Sequence, residues 1–251
     1  MKPLIGMRQA SLCGFLVTAL LIAAGVKAAA PTTMTSDVAS PGDLTAEVHT
    51  LLTSVEQSLD SVDSYNNRHE SMKRQALQIA LLAQGLAEHE SDSPLKKPAP
   101  AMRNAALMLS RAGSFDEATQ ALGRLKEARD GKATGTPAVE ADWGKLARAG
   151  TWMSLMKERA EATRRGLRRP KDPEADSRNT MAIALMSLAV YGDTQAVKNP
   201  ADRPAWQEIC LELQGHMSRA TKAIKTRDNS AADHFRMGME ACDKCHEKFK
   251  P

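Results

Sequence analysis

Apolar side chains recur at intervals of three and four residues along most of the 251-residue sequence, and this feature constrains the fold most strongly. The first clear run is formed by Leu44, Val48, Leu51, Leu52, Val55, Leu59 and Val62. Such spacing puts apolar side chains on one face of an α-helix, whereas a half-buried strand requires strict alternation. We find no alternating stretch, so the sequence predicts an all-α fold.

Segments containing Pro, Gly and Asn divide this periodicity into eight predicted helices. The first four are expected at about 44–62, 70–90, 101–112 and 114–130, with a break at Tyr65-Asn66-Asn67. Ser114 and Glu117 have the spacing of a capping box at the start of the fourth helix. The other four are expected at about 139–165, 175–190, 205–225 and 231–249. This order predicts two consecutive four-helix bundles, over 44–131 and 138–251.

A shift of 104 positions aligns parts of the two halves without a gap. It places Ile79-Ala80-Leu81-Leu82 on Ile183-Ala184-Leu185-Met186, and Pro100-Ala101 on Pro204-Ala205. Repetition of this kind indicates an internal duplication of the four-helix unit. The alternative is one irregular domain of eight helices, because helices rich in Ala and Leu also give such matches by chance.

Residues 1–28 have the pattern of a cleaved secretory signal peptide. A basic start is followed by an apolar run from Leu12 to Val26, and small residues precede a cleavage point after Ala28. The run is too short to span a membrane comfortably, and an uncleaved anchor is the alternative. We therefore expect a periplasmic protein with no membrane span after cleavage. A flexible leader rich in Thr, Ser, Ala and Pro is expected over 29–43.

The charge balance of the chain changes when this segment is removed. The full sequence has 34 Lys and Arg against 30 Asp and Glu, which gives a net charge of +4. The segment carries Lys2, Arg8 and Lys27 and no acidic residue, so cleavage leaves a net charge of +1. A nearly neutral mature chain gives no electrostatic basis for nucleic-acid binding.

The motif that carries the chemistry lies near the end of the last predicted helix and reads Cys242-Asp243-Lys244-Cys245-His246. Cys-x-x-Cys-His is the attachment pattern of c-type haem. The two thiols add to the two vinyl groups of one porphyrin, so both must lie on one side of one element. Residues three and four apart on a helix share a face, which brings the imidazole beneath the iron as axial ligand. One motif predicts one covalent haem c per chain.

Cys-x-x-Cys alone has two other interpretations, a dithiol–disulfide pair and half of a zinc site. A redox dithiol usually lies at the start of a helix near a strand, and no strand is predicted. A structural zinc site requires two further ligands, and the sequence has no second Cys-x-x-Cys or paired His. Cys210 remains as the odd cysteine of the mature chain, and its apolar neighbours favour a buried, inert thiol.

The end of the chain resembles the class II cytochromes c, the cytochrome c-prime family. Their last helix ends in a Cys-x-x-Cys-His-x-x-aromatic-basic run, and the segment from Cys242 to Lys250 matches it. The family often has Gly three residues before the first Cys. This chain has Met239 at that position and Gly238 one place earlier. The resemblance covers the second predicted bundle and implies a four-helix fold with the haem on its last helix.

Any second iron ligand must come from upstream, or the sixth iron position is open, because only five residues follow His246 and none of them is Met or His. In class II relatives the first helix of the haem bundle supplies this distal face. In this chain that helix carries Met153, the candidate distal ligand, and Met156. Ordinary core packing is the alternative role for Met153. Three residues share the helix face of the motif and are candidates for packing against the porphyrin: Phe235, Met239 and Phe249.

Two histidines and a basic run complete the candidate residues. His234 lies two turns before Cys242 on the same helix, so it cannot reach the opposite face of the iron. His216 lies in the middle of the preceding helix and is a minor candidate ligand. The run that contains Arg164-Arg165 and Arg168-Arg169 is typical of a solvated helix end. Docking of an acidic redox partner is its alternative role.

The resemblance implies one-electron transfer with a redox partner protein if Met occupies the sixth iron position. An open apolar distal side would instead imply binding of small gases such as nitric oxide or carbon monoxide. A helical interaction module, with a Cys-x-x-Cys disulfide and no haem, is the alternative from another class. The sequence has no paired nucleophile and base and no phosphate-binding Gly loop, so we expect no enzyme activity. Class II relatives often dimerise, which implies a homodimer unless the extra bundle blocks that surface.

Overall fold

Nine α-helices and three short 3-10 turns form the part of the chain described by this computed structural model, residues 35–134, 137–138 and 141–249. No β-strand occurs within these ranges, so the predicted all-α fold is confirmed. The helices are α1 (Thr35–Val38), α2 (Pro41–Ser58), α3 (Val62–Glu88), α4 (Ala99–Ser110), α5 (Phe115–Arg129), α6 (Ala149–Arg168), α7 (Pro173–Gly192), α8 (Arg203–Thr226) and α9 (Ala231–Phe249). The 3-10 turns are Trp143–Lys145, Thr194–Ala196 and Pro200–Asp202.

Hydrogen-bonding side chains fix where several helices begin. The hydroxyl of Ser40 accepts from the backbone N–H of Asp43 in α2, and the hydroxyl of Ser61 accepts from that of Ser64 in α3. The Ser114 hydroxyl accepts from the backbone N–H of Glu117 at 3.2 Å, and the Glu117 carboxylate accepts from Gly113 at 2.7 Å. These bonds satisfy N–H groups that have no partner inside a helix. The capping predicted for α5 is therefore confirmed.

Two expectations for the first half of the chain are wrong. The predicted break at residues 65–67 falls inside the continuous helix α3, because Asn66 and Asn67 face solvent and Tyr65 is buried against Phe115. The break lies earlier, where Ser61 caps the new helix. The predicted flexible leader is helical over residues 35–38 and again from residue 41 onward. The predicted signal peptide and residues 29–34 lie outside the described ranges.

The predicted helix over 139–165 begins later than expected, at Ala149. Residues 139–140 lie outside the described ranges, and Trp143–Lys145 forms a separate 3-10 turn. The helix starts at Ala149 because the buried carboxylate of Asp193 accepts from the backbone N–H of Ala149 at 2.8 Å. Asp193 follows α7 directly, so the position of this start depends on a contact across 44 residues of sequence.

Two glycines allow the backbones near the start of α6 and the end of α7 to touch. A Cβ atom on Gly144 would lie 2.3 Å from the carbonyl carbon of Gly192. A Cβ atom on Gly192 would lie 2.7 Å from the backbone nitrogen of Gly144. Both distances are far inside van der Waals contact, so each position requires a residue without a side chain.

Buried apolar residues from both halves form one continuous core. Successive helices pack on one another within each half, and α3 also packs on α7. The ends of these helices agree with the shift of 104 positions, since α3 ends at Glu88 and α7 at Gly192, while α4 begins at Ala99 and α8 at Arg203. The agreement ends there, because α8 has 24 residues and α4 has 12. The division into two bundles and the duplication stay predictions.

A buried carboxylate joins the two halves, and we call its hydrogen-bonded cluster the Glu47 network. Glu47 on α2 binds Arg159 of α6 at 2.5 Å and Arg178 of α7 at 3.1 Å. The Arg159 guanidinium also donates to Gln78 of α3 at 2.7 and 2.9 Å, and to Asn179 of α7 at 2.9 Å. Four helices therefore meet at one acidic side chain that is 3 % exposed.

None of the helices in the described ranges has both the length and the apolar character needed to cross a membrane. The longest of them, α3, has 27 residues and carries polar residues along its first half.

Candidate functional site

The Cys-x-x-Cys-His motif lies in the second half of α9, on two consecutive turns. Cys245 is buried, Cys242 is half-buried and His246 is exposed. Helical spacing of three and four residues aligns the three side chains on one face, as predicted. Cys210, Cys242 and Cys245 are all free thiols, so no disulfide is formed among the described residues.

The motif forms one wall of a narrow gap between helices, which we call the α6–α9 cleft. Its volume is about 40 Å³, and residues from four helices line it: Met153, Met156, Ser187, Val190, Ile209, Cys210, Leu213, Ala241, Cys242, Cys245 and His246. The lining is almost entirely apolar or sulfur-bearing. The one hydroxyl group, that of Ser187, donates to the carbonyl of Ala184 at 2.7 Å and is satisfied within its own helix.

The wall contributed by α6 consists of Met153 and Met156. Met153 is half-buried and Met156 is buried. The sequence prediction placed Met153 opposite the motif, and the structure brings both methionines into the same cleft as Cys242, Cys245 and His246. Thioether sulfur is a soft ligand that also packs readily against flat apolar groups. The arrangement therefore places two flexible sulfur-bearing side chains in the cleft that the motif lines.

The three residues predicted to pack against a porphyrin do not line the α6–α9 cleft. Phe235 is buried under the guanidinium of Arg164, which lies 5.8 Å from the ring centroid. Phe249 packs edge to face on Trp206 at 5.3 Å. Trp206 donates to the carbonyl of Val190 at 2.9 Å, and Val190 does line the cleft. Phe249 therefore supports the cleft wall indirectly, and Met239 is a partly buried residue packed against the core.

The environment of the motif keeps its thiols protonated. Burial, the neighbouring Cys245 and Asp243 raise the pKa of Cys242 to about 11, against a smaller opposing effect of Arg164. Burial also raises the pKa of Cys245. Reactive dithiols typically lie at a helix N-terminus that lowers the thiol pKa. The second half of α9, where the motif lies, provides no such stabilisation of a thiolate.

Cys210 is a cleft residue that the sequence analysis did not assign to the site. It is 5 % exposed, and it lines the cleft together with Ile209 and Leu213 of α8. Burial, followed by the proximity of Cys245 and Cys242, raises its pKa well above the ordinary value. The helical spacing of Cys210, Leu213 and Met217 marks one face of α8, but sequence alone does not show that this face meets the motif.

Gly238 lies one turn before Cys242 and brings α8 close to α9. A Cβ atom at this position would lie 2.5 Å from the terminal methyl group of Met217 and 3.4 Å from the Cβ of His216. The sequence has its glycine one place away from the usual position in the family that it resembles. In this fold Gly238 has a packing role of its own, because it lets the fully buried Met217 seat against α9.

Neither of the other candidate histidines lines the cleft. The Nδ1 atom of His216 accepts from Arg219 at 3.0 Å, and burial followed by the Arg219 charge lowers its pKa. The Nδ1 atom of His234 is buried and has no hydrogen-bond partner among the residues that the structure describes. His234 lies on α9 itself, as expected, and is separated from the motif by two turns.

The donor set fits a c-type haem in its chemistry, although the cleft is closed. Two thiols and an imidazole lie on one helix face beside apolar walls, which is what thioether attachment and axial ligation require. Small-molecule sites typically have volumes of about 300–1,000 Å³, far above the 40 Å³ of the closed cleft. A porphyrin therefore requires the walls of α6 and α8 to move away from α9. Within the described ranges, no cluster of three or more His, Cys, Asp and Glu side chains is arranged to hold a metal ion.

We compared the chain with protein-family models, with curated proteins and with solved structures, and none of the three comparisons gave a match.

Proposed function

We propose that the protein is an exported c-type cytochrome that carries one covalent haem and transfers single electrons. One observation supports this proposal best. The two thiols and the imidazole of the motif line the same apolar cleft as Met153 and Met156. The haem iron, when bound, supplies the one-electron redox chemistry, and its potential depends on axial ligands and on burial.

The residues of the chain have separate roles in this proposal. The thiols of Cys242 and Cys245 would hold the haem through thioether bonds to its two vinyl groups, each thiol proton passing to the vinyl group to which its sulfur adds. His246 would hold the iron. Apolar walls from α7 and α8 exclude water and lower the local dielectric constant, which favours the less charged state of the metal site. These walls include Val190 and Leu213.

Met153 decides between two functions of the same site. If the Met153 thioether were to hold the iron, electron transfer with a protein partner would be favoured. If no residue held that side of the iron, binding of small gases would be favoured. The gas alternative is supported by the largely apolar cleft lining, in which the Ser187 hydroxyl is bonded to the carbonyl of Ala184. Such a lining suits carbon monoxide or nitric oxide better than it suits a polar ligand.

The interaction module with a Cys-x-x-Cys disulfide remains the alternative from another class. The position of the motif argues against it, because Cys242 and Cys245 lie within α9 and not at its start. Both thiols are also free in this fold. A disulfide between consecutive helical turns would have to form inside a regular helix, against the geometry that disulfides prefer.

The first experiment tests covalent haem attachment. The full chain is produced in bacteria that have a c-type haem attachment system, and the exported protein is denatured and stained for haem. We expect haem to stay with the polypeptide in the wild type and in a Cys210→Ala control. It should be lost in the double variant Cys242→Ala/Cys245→Ala. A wild-type protein without haem absorption would refute the cytochrome proposal and leave the interaction module.

The second experiment separates electron transfer from gas binding. Visible spectra of the reduced protein are recorded before and after addition of carbon monoxide. Sharp bands that carbon monoxide does not shift indicate six-coordinate iron, and Met153→Ala should then make the bands sensitive to carbon monoxide. Met108→Ala, at an exposed methionine in the first half of the chain, is the matched control and should change nothing. Wild-type bands that shift on addition of carbon monoxide would favour gas binding.

A further inference from the structure

A basic groove lies where α6 ends and α7 begins, and we call it the α6–α7 groove. Its volume is about 580 Å³. The residues that line it are Ala162, Arg165, Gly166, Arg168, Arg169, Lys171, Asp172 and Asp176. Four cationic side chains thus surround a concave surface that holds two carboxylates.

The cations of the groove have no acidic partner in the part of the chain that the structure describes. The four cationic side chains of the groove are exposed, and none of them forms an ion pair within the described residues. They belong to Arg165, Arg168, Arg169 and Lys171. Lys225, by contrast, pairs with Asp43 at 2.5 Å, and many other cations on the surface have a carboxylate within 4 Å. The positive charge of the groove is therefore available to a partner.

The two carboxylates of the groove differ in what they contact. Asp172 accepts from the backbone N–H of Ala175 at 3.0 Å and caps α7. Asp176 lies against Gly166, where its Oδ1 atom is 2.0 Å from the position that a Cβ would take. Asp172 is exposed and Asp176 is half-buried, so the groove keeps an excess of cationic over acidic side chains.

The groove adjoins the helix that carries the Cys-x-x-Cys-His motif. Arg164, one residue before the first groove arginine, lies over the ring of Phe235 on α9 at 5.8 Å. Arg164 also follows Met156 of the α6–α9 cleft by two turns on α6, which is about 12 Å along the helix axis. The groove arginines of α6, Arg165 and Arg168, therefore lie about 14–18 Å along the helix from Met156, so a partner held in the groove would lie within about 20 Å of the cleft.

We propose that the α6–α7 groove docks an acidic protein that exchanges electrons at the neighbouring cleft. The electron exchange rests on the proposed function, whereas the docking itself does not. Guanidinium groups bind carboxylates through paired hydrogen bonds, so the three groove arginines suit the Asp and Glu side chains of a protein surface. A flat anionic bilayer fits less well, because the groove is concave and two carboxylates are among the residues that line it.

The docking test uses a fluorescently labelled decapeptide of glutamate as the acidic probe and measures its anisotropy on titration with the full-length protein. We expect binding at low salt that weakens steeply as salt rises, because the contacts are exposed charges. The variant Arg168→Glu/Arg169→Glu should weaken binding by about tenfold or more. The matched control Arg68→Glu/Lys97→Glu makes the same change in net charge at exposed sites of the first half and should stay within about twofold of wild type.

Three outcomes would overturn the docking proposal. The first is unchanged peptide binding in the groove variant. The second is an equal loss in the control variant, which would show a response to net charge alone. The third is groove-dependent binding to phosphatidylglycerol vesicles with no groove-dependent binding to the peptide, which would assign the groove to a membrane surface.

A separate measurement tests the electron exchange. Oxidation of the reduced protein by hexacyanoferrate(III), a trianion, should slow by about tenfold in the groove variant and not in the control. Equal rates in all three proteins would overturn the claim that the groove steers electron partners. The haem absorbance of the same samples separates the two proposals. Groove-dependent peptide binding without haem would refute the cytochrome and the electron exchange, whereas haem without that binding would refute only the docking.

Discussion

Replacing Glu47 with Gln should destabilise the whole chain, because it removes the single carboxylate at the centre of the Glu47 network. The glutamine keeps the shape of the side chain but leaves Arg159 and Arg178 without a negative partner. Arg159 retains hydrogen bonds to Gln78 and Asn179. Among the described residues, Arg178 forms an ion pair with Glu47 alone.

The expected loss of unfolding free energy follows from the burial of three charged side chains, those of Glu47, Arg159 and Arg178. Removing one partner of a buried ion pair typically costs about 3–5 kcal/mol, since an uncompensated charge stays inside the protein. The side chain of Glu47 is 3 % exposed, while those of Arg159 and Arg178 are 17 % and 18 % exposed. Water therefore reaches the two guanidinium groups in part, and we expect a loss of about 3 kcal/mol, at the lower end of that range. In a chain of this size the melting temperature should fall by roughly 6–12 °C.

Urea unfolding followed by circular dichroism measures this free energy directly. Glu56→Gln is the matched control, because it makes the same chemical change on the same helix. Glu56 pairs with Lys126 at 3.0 Å, but their side chains are 36 % and 46 % exposed. Such a pair contributes about 0.2–1 kcal/mol. Equal losses of less than about 1 kcal/mol in both variants would refute the view that Glu47 is a buried ionic link.

Further predictions concern packing and pH. Gly144→Ala should cost about 2–3 kcal/mol in urea unfolding, because the new methyl group meets the Gly192 backbone; Gly150→Ala, with no atom within 4 Å, should cost nothing. A cost below 0.5 kcal/mol, about the scatter of a neutral surface change, would contradict the close contact. Burial raises the pKa of Asp43, but hydrogen bonds from Lys225 and Ser40 and the Lys225 charge outweigh it and lower the pKa below 3.8. Asp43 therefore stabilises the fold above pH 3.8, and this contribution is lost as pH falls through the folded pKa. The difference in unfolding free energy between wild type and Asp43→Asn should shrink over that range, and a constant difference would contradict the Lys225 contact.

The helices that depend on local signals are the ones that the sequence predicts well. The last predicted helix agrees with α9 in both bounds, because its periodicity is strong and a polar turn precedes it. The capping box at Ser114 is likewise local. The false break at Tyr65-Asn66-Asn67 shows the limit of such reasoning, since exposed asparagines are tolerated within a helix when tertiary packing holds its other face.

The sequence did not predict the features that depend on contacts between residues far apart in the chain, and the reason is physical. The start of α6 depends on Asp193, and the Glu47 network joins residues 112 and 131 positions apart. Neither the periodicity of the sequence nor a local motif indicates which distant residues form such pairs. For the candidate site, the sequence supplied the motif and Met153, but it did not show that Cys210 meets them. The face of α8 that turns toward α9 is set by packing, including the close approach at Gly238.

The contact between Gly144 and Gly192 limits how mutations here can be repaired. When a mutation overfills a core, a second mutation that shortens a neighbouring side chain often restores the fit. A second mutation of this kind cannot relieve the contact, because each glycine faces the backbone of the other and neither has a side chain that could be shortened. A genetic screen that starts from Gly144→Ala should therefore recover true revertants, and few second-site suppressors within the contact.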